Sequence, residues 1–197
     1  ETHSWVVAQD LSEPNAAQKV YDQLVEKDVH INVLVNNAGL GLKGKFTDQA
    51  WENDYQMLQV NMIALTQLTK VFINDMLEQK ERNTGEEIRL PYKVMNIASL
   101  AAFQPGPNMA VYFATKAFVL SFSEAIAEEL KYSGIHITTV CPGVTRTEWV
   151  GDISQVIGDI NQFWRKGRIG DYNTCQRERA LPFSLASIEV VLTIRKF

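Results

Sequence analysis

The 197-residue sequence is poor in the residues that build disulfide and metal frameworks, with two cysteines, Cys141 and Cys175, and three histidines, His3, His30 and His136. The cysteines lie far apart without metal-ligand spacing, so no disulfide scaffold is expected and a reducing, cytoplasmic location is the default. The histidines are dispersed and have no Glu or Cys partner at ligand distance in the sequence, which argues against a metal site. A Ser-His-Asp hydrolase is disfavoured by the lack of a G-x-S-x-G elbow. Positive charge is not in excess: 19 Lys and Arg stand against 23 Asp and Glu, for a formal net charge of -4. A dedicated nucleic-acid binder would show a basic face or stripe instead. No apolar run reaches the roughly 18 residues that suggest a membrane span, since residues 94–102 run into Gln104-Pro105-Gly106-Pro107. Glu1-Thr2-His3-Ser4 also lacks the basic start of a signal peptide. What is present is the composition of an ordinary globular domain, 46% apolar and 21% charged, long enough to bury a core.

The hydrophobic pattern alternates between strand and helix. Residues 4–8 form a short apolar run stopped by Asp10, which predicts a buried strand. Ser12 is the expected N-cap of an amphipathic helix reaching Glu26, with Ala17, Val20, Leu24 and Val25 on its apolar face. Residues 31–35 predict a second strand, closed by Asn36-Asn37-Ala38-Gly39. Thr47 or Asp48 caps a long helix with apolar positions from Trp51 to Leu77, and residues 78–91 predict a surface loop. A third strand over 93–98, a helix over 109–132 ended by Gly134 at its C′ position, and a fourth strand over 135–141 follow. Residues 185–194 are apolar and fit either helix or strand. Alternation with continuous apolar strands predicts a parallel sheet covered by helices, with ligands at the C-terminal edge of the strands. Asp10, Asn37, Ser99 and Thr145 each follow a predicted strand and so gather there.

Tyr112-Phe113-Ala114-Thr115-Lys116 sets a phenol and an ammonium four residues apart on one face of a predicted helix. Alone, this spacing usually marks an amphipathic helix with a solvated lysine. Three other features change its meaning. Ser99 precedes Tyr112 by thirteen residues in Asn96-Ile97-Ala98-Ser99, Asn61 interrupts an apolar helix between Val60 and Met62, and Asn36-Asn37-Ala38-Gly39 closes a strand. Gly39-Leu40-Gly41-Leu42-Lys43-Gly44 matches G-x-G-x-x-G, but the next helix opens too late and no acidic strand end follows, so it reads as a loop.

This ordered set resembles the short-chain dehydrogenase/reductase family, over about residues 4–149, with the small bacterial-type reductases as the nearest subgroup. The resemblance implies a Rossmann-like, doubly wound α/β fold with helices on both faces. It also implies hydride transfer between NADP or NAD, with NADP the first choice, and a carbonyl or alcohol substrate. Tyr112 would be the acid/base, Lys116 the cation that stabilises its phenolate and holds the nicotinamide ribose, and Ser99 the anchor of the substrate oxygen. Asn61 would anchor a water that links Lys116 to solvent. Asp10 and Leu11 match the adenine contact, Asn37, Ala38 and Gly39 the ribose approach, and Pro142, Gly143, Val144, Thr145 and Thr147 the loop over the carboxamide. Association through the Asn61 and Tyr112 helices would make a homodimer or homotetramer.

The sequence departs from the family at two places. It contains no glycine-rich first turn to cradle a pyrophosphate, and residues 4–8 occupy the place of the family's third strand, leaving them without a neighbour. Residues 150–197 match the family's lid poorly, so the whole is read as one partial domain, 1–197, with a divergent tail from 150. A catalytically incompetent fragment or partner-binding remnant therefore stands beside the oxidoreductase reading, and an unrelated α/β binding module would need the ordered motifs to be accidental.

Overall fold

A computed structural model describes residues 5–82, 91–143 and 190–192. The first strand, β1 (Trp5–Val7), is followed by helix α1 (Ala16–Val25) and strand β2 (Val33–Asn36). Helix α2 (Trp51–Leu58) passes through a π-helical segment, Gln59–Ala64, into α3 (Leu65–Arg82). Strand β3 (Tyr92–Ile97), helix α4 (Ala110–Glu129), and strands β4 (Ile135–Val140) and β5 (Val190–Leu192) complete the described chain.

Strands β2, β3 and β4 form a parallel sheet in that order, with Asn36 opposite Asn96 and Asn96 opposite Thr139. This is the expected α/β class. The segments that leave β3 and β4 are tied together at one edge, through Ala98 N to Val140 O at 2.8 Å and Leu100 N to Pro142 O at 3.0 Å. The strand over 4–8 does have a neighbour: β1 pairs antiparallel with β5, Val6 opposite Val191. The tail contributed this partner from far along the chain, which no local pattern reveals, and it gives the edge of β1 the backbone hydrogen bonds that an unpaired strand would lack.

The core forms where apolar stripes meet. Ala16, Ala17, Val20 and Leu24 of α1 face the stripe of α3, whose Leu68, Phe72, Ile73 and Met76 lie over Leu34, Val94 and Ile135 of the sheet. Fully burying a side chain such as Phe72 or Leu34 contributes about 1.5–3 kcal/mol. Polar pairs also cross this layer. Asn36 Nδ2 donates to Thr69 Oγ1 at 2.9 Å and to Asn96 Oδ1 at 2.8 Å, and Asn96 Nδ2 donates to Ser123 Oγ at 2.8 Å. Because Asn36 and Asn96 are register partners, α3 and α4 lie on the same face of the sheet. Among the described residues the other face of β2 is open, with Val33 49% and Val35 46% exposed.

Four local expectations need correction. Ser12 does not cap α1: its hydroxyl donates to Asp10 Oδ1 at 2.7 Å, and the helix starts later, after Asn15 in the left-handed region at φ 60°. Thr47 and Asp48 belong to a separate 3₁₀ turn, Phe46–Asp48, and α2 starts after Ala50 with no side-chain cap. Of the expected loop over 78–91, residues 78–82 belong to α3, which continues to Arg82, and residues 83–90 lie outside the described residues. Helix α4 ends at Glu129, so Gly134 is not its C′ residue; it sits at φ 82° in the turn before β4, where a left-handed residue is needed.

Candidate active site

The candidate site stands on the C-terminal edge of the parallel sheet. Lys116 is on α4 and only 6% exposed, and its Nζ donates to the carbonyl of Ile97, the last residue of β3, at 2.9 Å. One helical turn earlier, the Tyr112 ring centroid lies 5.9 Å from that ammonium. Ser99 follows β3 in extended backbone, its Oγ accepts from Ala101 N at 3.1 Å to start the turn Leu100–Phe103, and its side chain is hydrogen-bonded to Tyr112. Ser99, Tyr112 and Lys116 are therefore brought together as the sequence predicts.

The electrostatics differ from the expectation of a phenol depressed by its lysine. Burial raises the Tyr112 phenol above its ordinary 10.0, and the hydrogen bond from Ser99 offsets only part of this. Burial also lowers the Lys116 ammonium to about 8, against a smaller opposing influence from Cys141. Both charged forms are disfavoured for the same reason, removal from water. A lysine that titrates near neutrality can exchange a proton under mild conditions, which an exposed one cannot.

Asn61 is 1% exposed and lies in the π-helical segment, where the helix widens. Its Oδ1 accepts from Leu40 N at 2.7 Å, and its Nδ2 donates to Leu40 O at 2.8 Å and to Thr115 Oγ1 at 3.0 Å. Its amide is thus occupied by the loop after β2 and by α4. π-Helical turns recur at functional sites because they re-aim such side chains. A Cβ on Gly39 would lie 3.4 Å from both Asn61 Oδ1 and Lys116 Nζ, so the loop passes directly against the lysine.

The remaining predicted residues divide. Asn37, Ala38 and Gly39 are partly exposed in the loop after β2, near Lys116 through Gly39. Asp10 is exposed, and its carboxyl, held below the usual 3.8 by hydrogen bonds from the Ser12 side chain and backbone, forms a local turn. Leu11 is 3% exposed and belongs to the core, so its side chain is not available as a ligand contact. Pro142 accepts from Leu100 N, and a Cβ on Gly143 would meet Leu100 Cδ1 at 3.4 Å. Val144, Thr145 and Thr147 lie outside the described residues.

Two residues escape the sequence reading. Thr115 receives Asn61 and donates to Tyr112 O at 2.7 Å, yet inside Tyr-x-x-x-Lys it looks like filler. Asn36, the first residue of its motif, turns into the polar core rather than toward the loop. Their signal is a polar residue at a position the apolar period reserves for the core. Helix α4 is also long and apolar enough, by composition, to cross a membrane. Lys116, Thr115 and Ser123 nevertheless hold it to Ile97, Asn61 and Asn96.

The family model described as short chain dehydrogenase matches residues 1–157. A probable oxidoreductase, EphD, of Mycobacterium bovis is 30% identical over 141 residues, 72% of this chain and 22% of its own length. Acetoacetyl-CoA reductase of an Acinetobacter species is 31% identical over 144 residues, 73% of this chain and 54% of that protein. Among solved structures, a short-chain dehydrogenase of Sphingobium yanoikuyae in complex with NADPH is 33% identical, with a TM-score of 0.60 over 70% of this chain and 50% of that one. The chain thus spans about half or less of the length of these relatives.

Proposed function

The chain belongs to the short-chain dehydrogenase family, and from that premise we propose that it serves an NAD(P)-dependent oxidoreductase that interconverts a carbonyl and an alcohol. The observation that carries this reading is the meeting of Ser99, Tyr112 and Lys116 at the ends of β3 and α4. The identical share of the Sphingobium dehydrogenase, solved with NADPH, supports NADP as the first cofactor to try and NAD as the second.

The residues present suit the nicotinamide end of such a cofactor. Gly39 leaves open space beside Lys116 that a side chain would fill, and Lys116 presents an N–H donor set to that space. When bound, the cofactor supplies the hydride. Lys116, with Gly39 and the loop of Asn37 and Ala38, would hold its ribose hydroxyls. Asp10 would lie toward the adenine, and Pro142, Gly143, Val144, Thr145 and Thr147 toward the carboxamide.

Tyr112 gives its phenolic proton to the substrate oxygen in reduction and takes it back in oxidation. Ser99, already hydrogen-bonded to the phenol, orients that oxygen. Lys116 carries a positive charge beside the ring and, with its lowered pKa, returns a proton toward the phenol. Asn61 and Thr115 act at one remove, fixing the loop after β2 against α4. A homodimer or homotetramer belongs to the same proposal, supported by exposed Trp51 and Ile63 on the α2–α3 helix. The test is titration with NADPH and NADH followed by protein fluorescence and thermal midpoint. Saturable quenching with a raised midpoint is expected, and no response to either nucleotide contradicts the proposal.

A further inference from the structure

The approach to Ser99 and Tyr112 carries exposed hydrocarbon that the catalytic scheme leaves unused. Leu100 is 43% and Phe103 37% exposed, although both are large apolar side chains. They begin and end the 3₁₀ turn Leu100–Phe103, and in such a turn residues three apart lie on the same side. Ala101, between them, is buried. The turn is pinned to the site from two directions. Ser99 Oγ accepts from Ala101 N at 3.1 Å, and Leu100 N donates to Pro142 O at 3.0 Å. A Cβ on Gly143 would meet Leu100 Cδ1 at 3.4 Å. Leu100 therefore lies between Ser99, which is hydrogen-bonded to Tyr112, and the Pro142–Gly143 segment. One exposed leucine needs no explanation, but two large apolar side chains on one side of a turn capped by Ser99 make an apolar ledge beside the reacting groups.

The same region is short of charge. Residues 31–42, 94–115 and 137–143 supply the ends of β2, β3 and β4 and the start of α4, and they contain no Asp, Glu, Lys, Arg or His. Lys116, which follows the second of these stretches, is buried and already donates to the Ile97 carbonyl at 2.9 Å. A carboxylate or phosphate carried close to the reacting carbon is thus withdrawn from water without a counter-ion, which is strongly unfavourable. A hydrocarbon chain in the same place covers apolar surface instead.

We propose that Leu100 and Phe103 are specificity-determining residues that select carbonyl or alcohol substrates whose reacting carbon bears an uncharged hydrocarbon substituent. The inference rests on the oxidoreductase reading for the reaction and on the ledge alone for the preference. The reacting carbon lies between the Ser99 and Tyr112 hydroxyls and the nicotinamide on the Pro142–Gly143 side, and its substituent runs over Leu100 and Phe103.

The test compares 2-hexanone, methyl levulinate and levulinate, methyl ketones of similar length of which only the last is charged. The full chain is used with NADPH, as wild type, L100K and F103K. Turnover gives kcat/KM, and ligand-observed NMR gives binding. Wild type is expected to favour the two neutral ketones over levulinate by at least about tenfold in both measurements. Each variant supplies the missing cation, so the ratio of levulinate to methyl levulinate should rise by about tenfold in L100K and F103K. High salt should return it toward the wild-type value, which a merely structural effect would not do. Each ratio is taken within one protein, so partial loss of folding cancels. Equal use of the three ketones by wild type, or a ratio unmoved in both variants, overturns the proposal. Binding preference without turnover removes the oxidoreductase and keeps the ledge; turnover without preference does the reverse; no response in either measurement removes both.

Discussion

Asn61 donates a hydrogen bond through Nδ2 to Thr115 Oγ1 at 3.0 Å, joining the π-helical segment to the helix that carries Tyr112 and Lys116 across 54 positions of sequence. The same amide clamps both backbone groups of Leu40. One buried side chain therefore fixes the loop after β2 and the helix α4 relative to each other.

Replacing Asn61 with Leu leaves the Leu40 N–H and C=O and the Thr115 hydroxyl without their partner. Each unsatisfied buried group costs about 1–3 kcal/mol, and local relaxation recovers part, so a loss of about 3 kcal/mol is expected from urea unfolding. N61D, which still accepts from Leu40 N but cannot donate to Leu40 O, should also lose stability. A loss below about 0.5 kcal/mol, the level of an ordinary surface change, would show that the clamp does not matter.

The lowered pKa of Lys116 makes stability depend on pH in a defined direction. Between about 8, its folded value, and the ordinary 10.5, the unfolded chain binds a proton that the folded chain has released. Stability therefore rises with pH across this window, and the contribution is lost as pH falls through 8. The full difference is roughly 3 kcal/mol. Urea midpoints of wild type and Lys116→Met, measured from pH 7 to 11, should differ by a slope confined to that window. Parallel profiles would mean that Lys116 titrates as an exposed lysine.

The buried ladder of Asn36, Asn96 and Ser123 predicts coupling between sheet and helix. Asn96→Ala removes the acceptor for Asn36 and the donor to Ser123, and a loss of about 2–4 kcal/mol is expected. A double-mutant cycle of Asn96→Ala with Ser123→Ala should give a coupling of about 1 kcal/mol. Additive losses would show that the 2.8 Å contact contributes nothing of its own.

Gly106 is closed to substitution for a steric reason. A Cβ there would sit 2.4 Å from the Phe113 ring, which neighbours Tyr112. Gly106→Ala should lower stability by about 1–3 kcal/mol through forced displacement of the ring, read as a lowered thermal midpoint. An unchanged midpoint would mean that the loop moves freely.

Much of the architecture is legible because it rests on local chemistry. The apolar runs at Val33 and Val94 can only be strands, the stripe of Val20 and Leu24 can only be one helix face, and Ser99, Tyr112 and Lys116 fall together because β3 and α4 are consecutive. What escapes is set by side-chain and strand partners that the apolar period does not reveal. The hydroxyl of Ser12 is diverted by Asp10, two residues away, so its promise as a cap fails. The partner of β1 lies in the tail, and Thr115 has a function only once Asn61 arrives. The depressed phenol expected from Lys116 reverses because burial raises it and the hydrogen bond from Ser99 offsets only part, while the Lys116 ammonium stands 5.9 Å from the ring centroid.

The central claim, that Tyr112 is the proton donor of a nicotinamide-dependent oxidoreductase, is tested most directly by Tyr112→Phe. The variant removes one oxygen and keeps the ring. Turnover of a carbonyl probe with NADPH or NADH is expected to fall by about 10²-fold or more, the usual contribution of general acid catalysis, while the nucleotide dissociation constant stays within about threefold, a difference under 1 kcal/mol. Turnover retained in the variant contradicts the account.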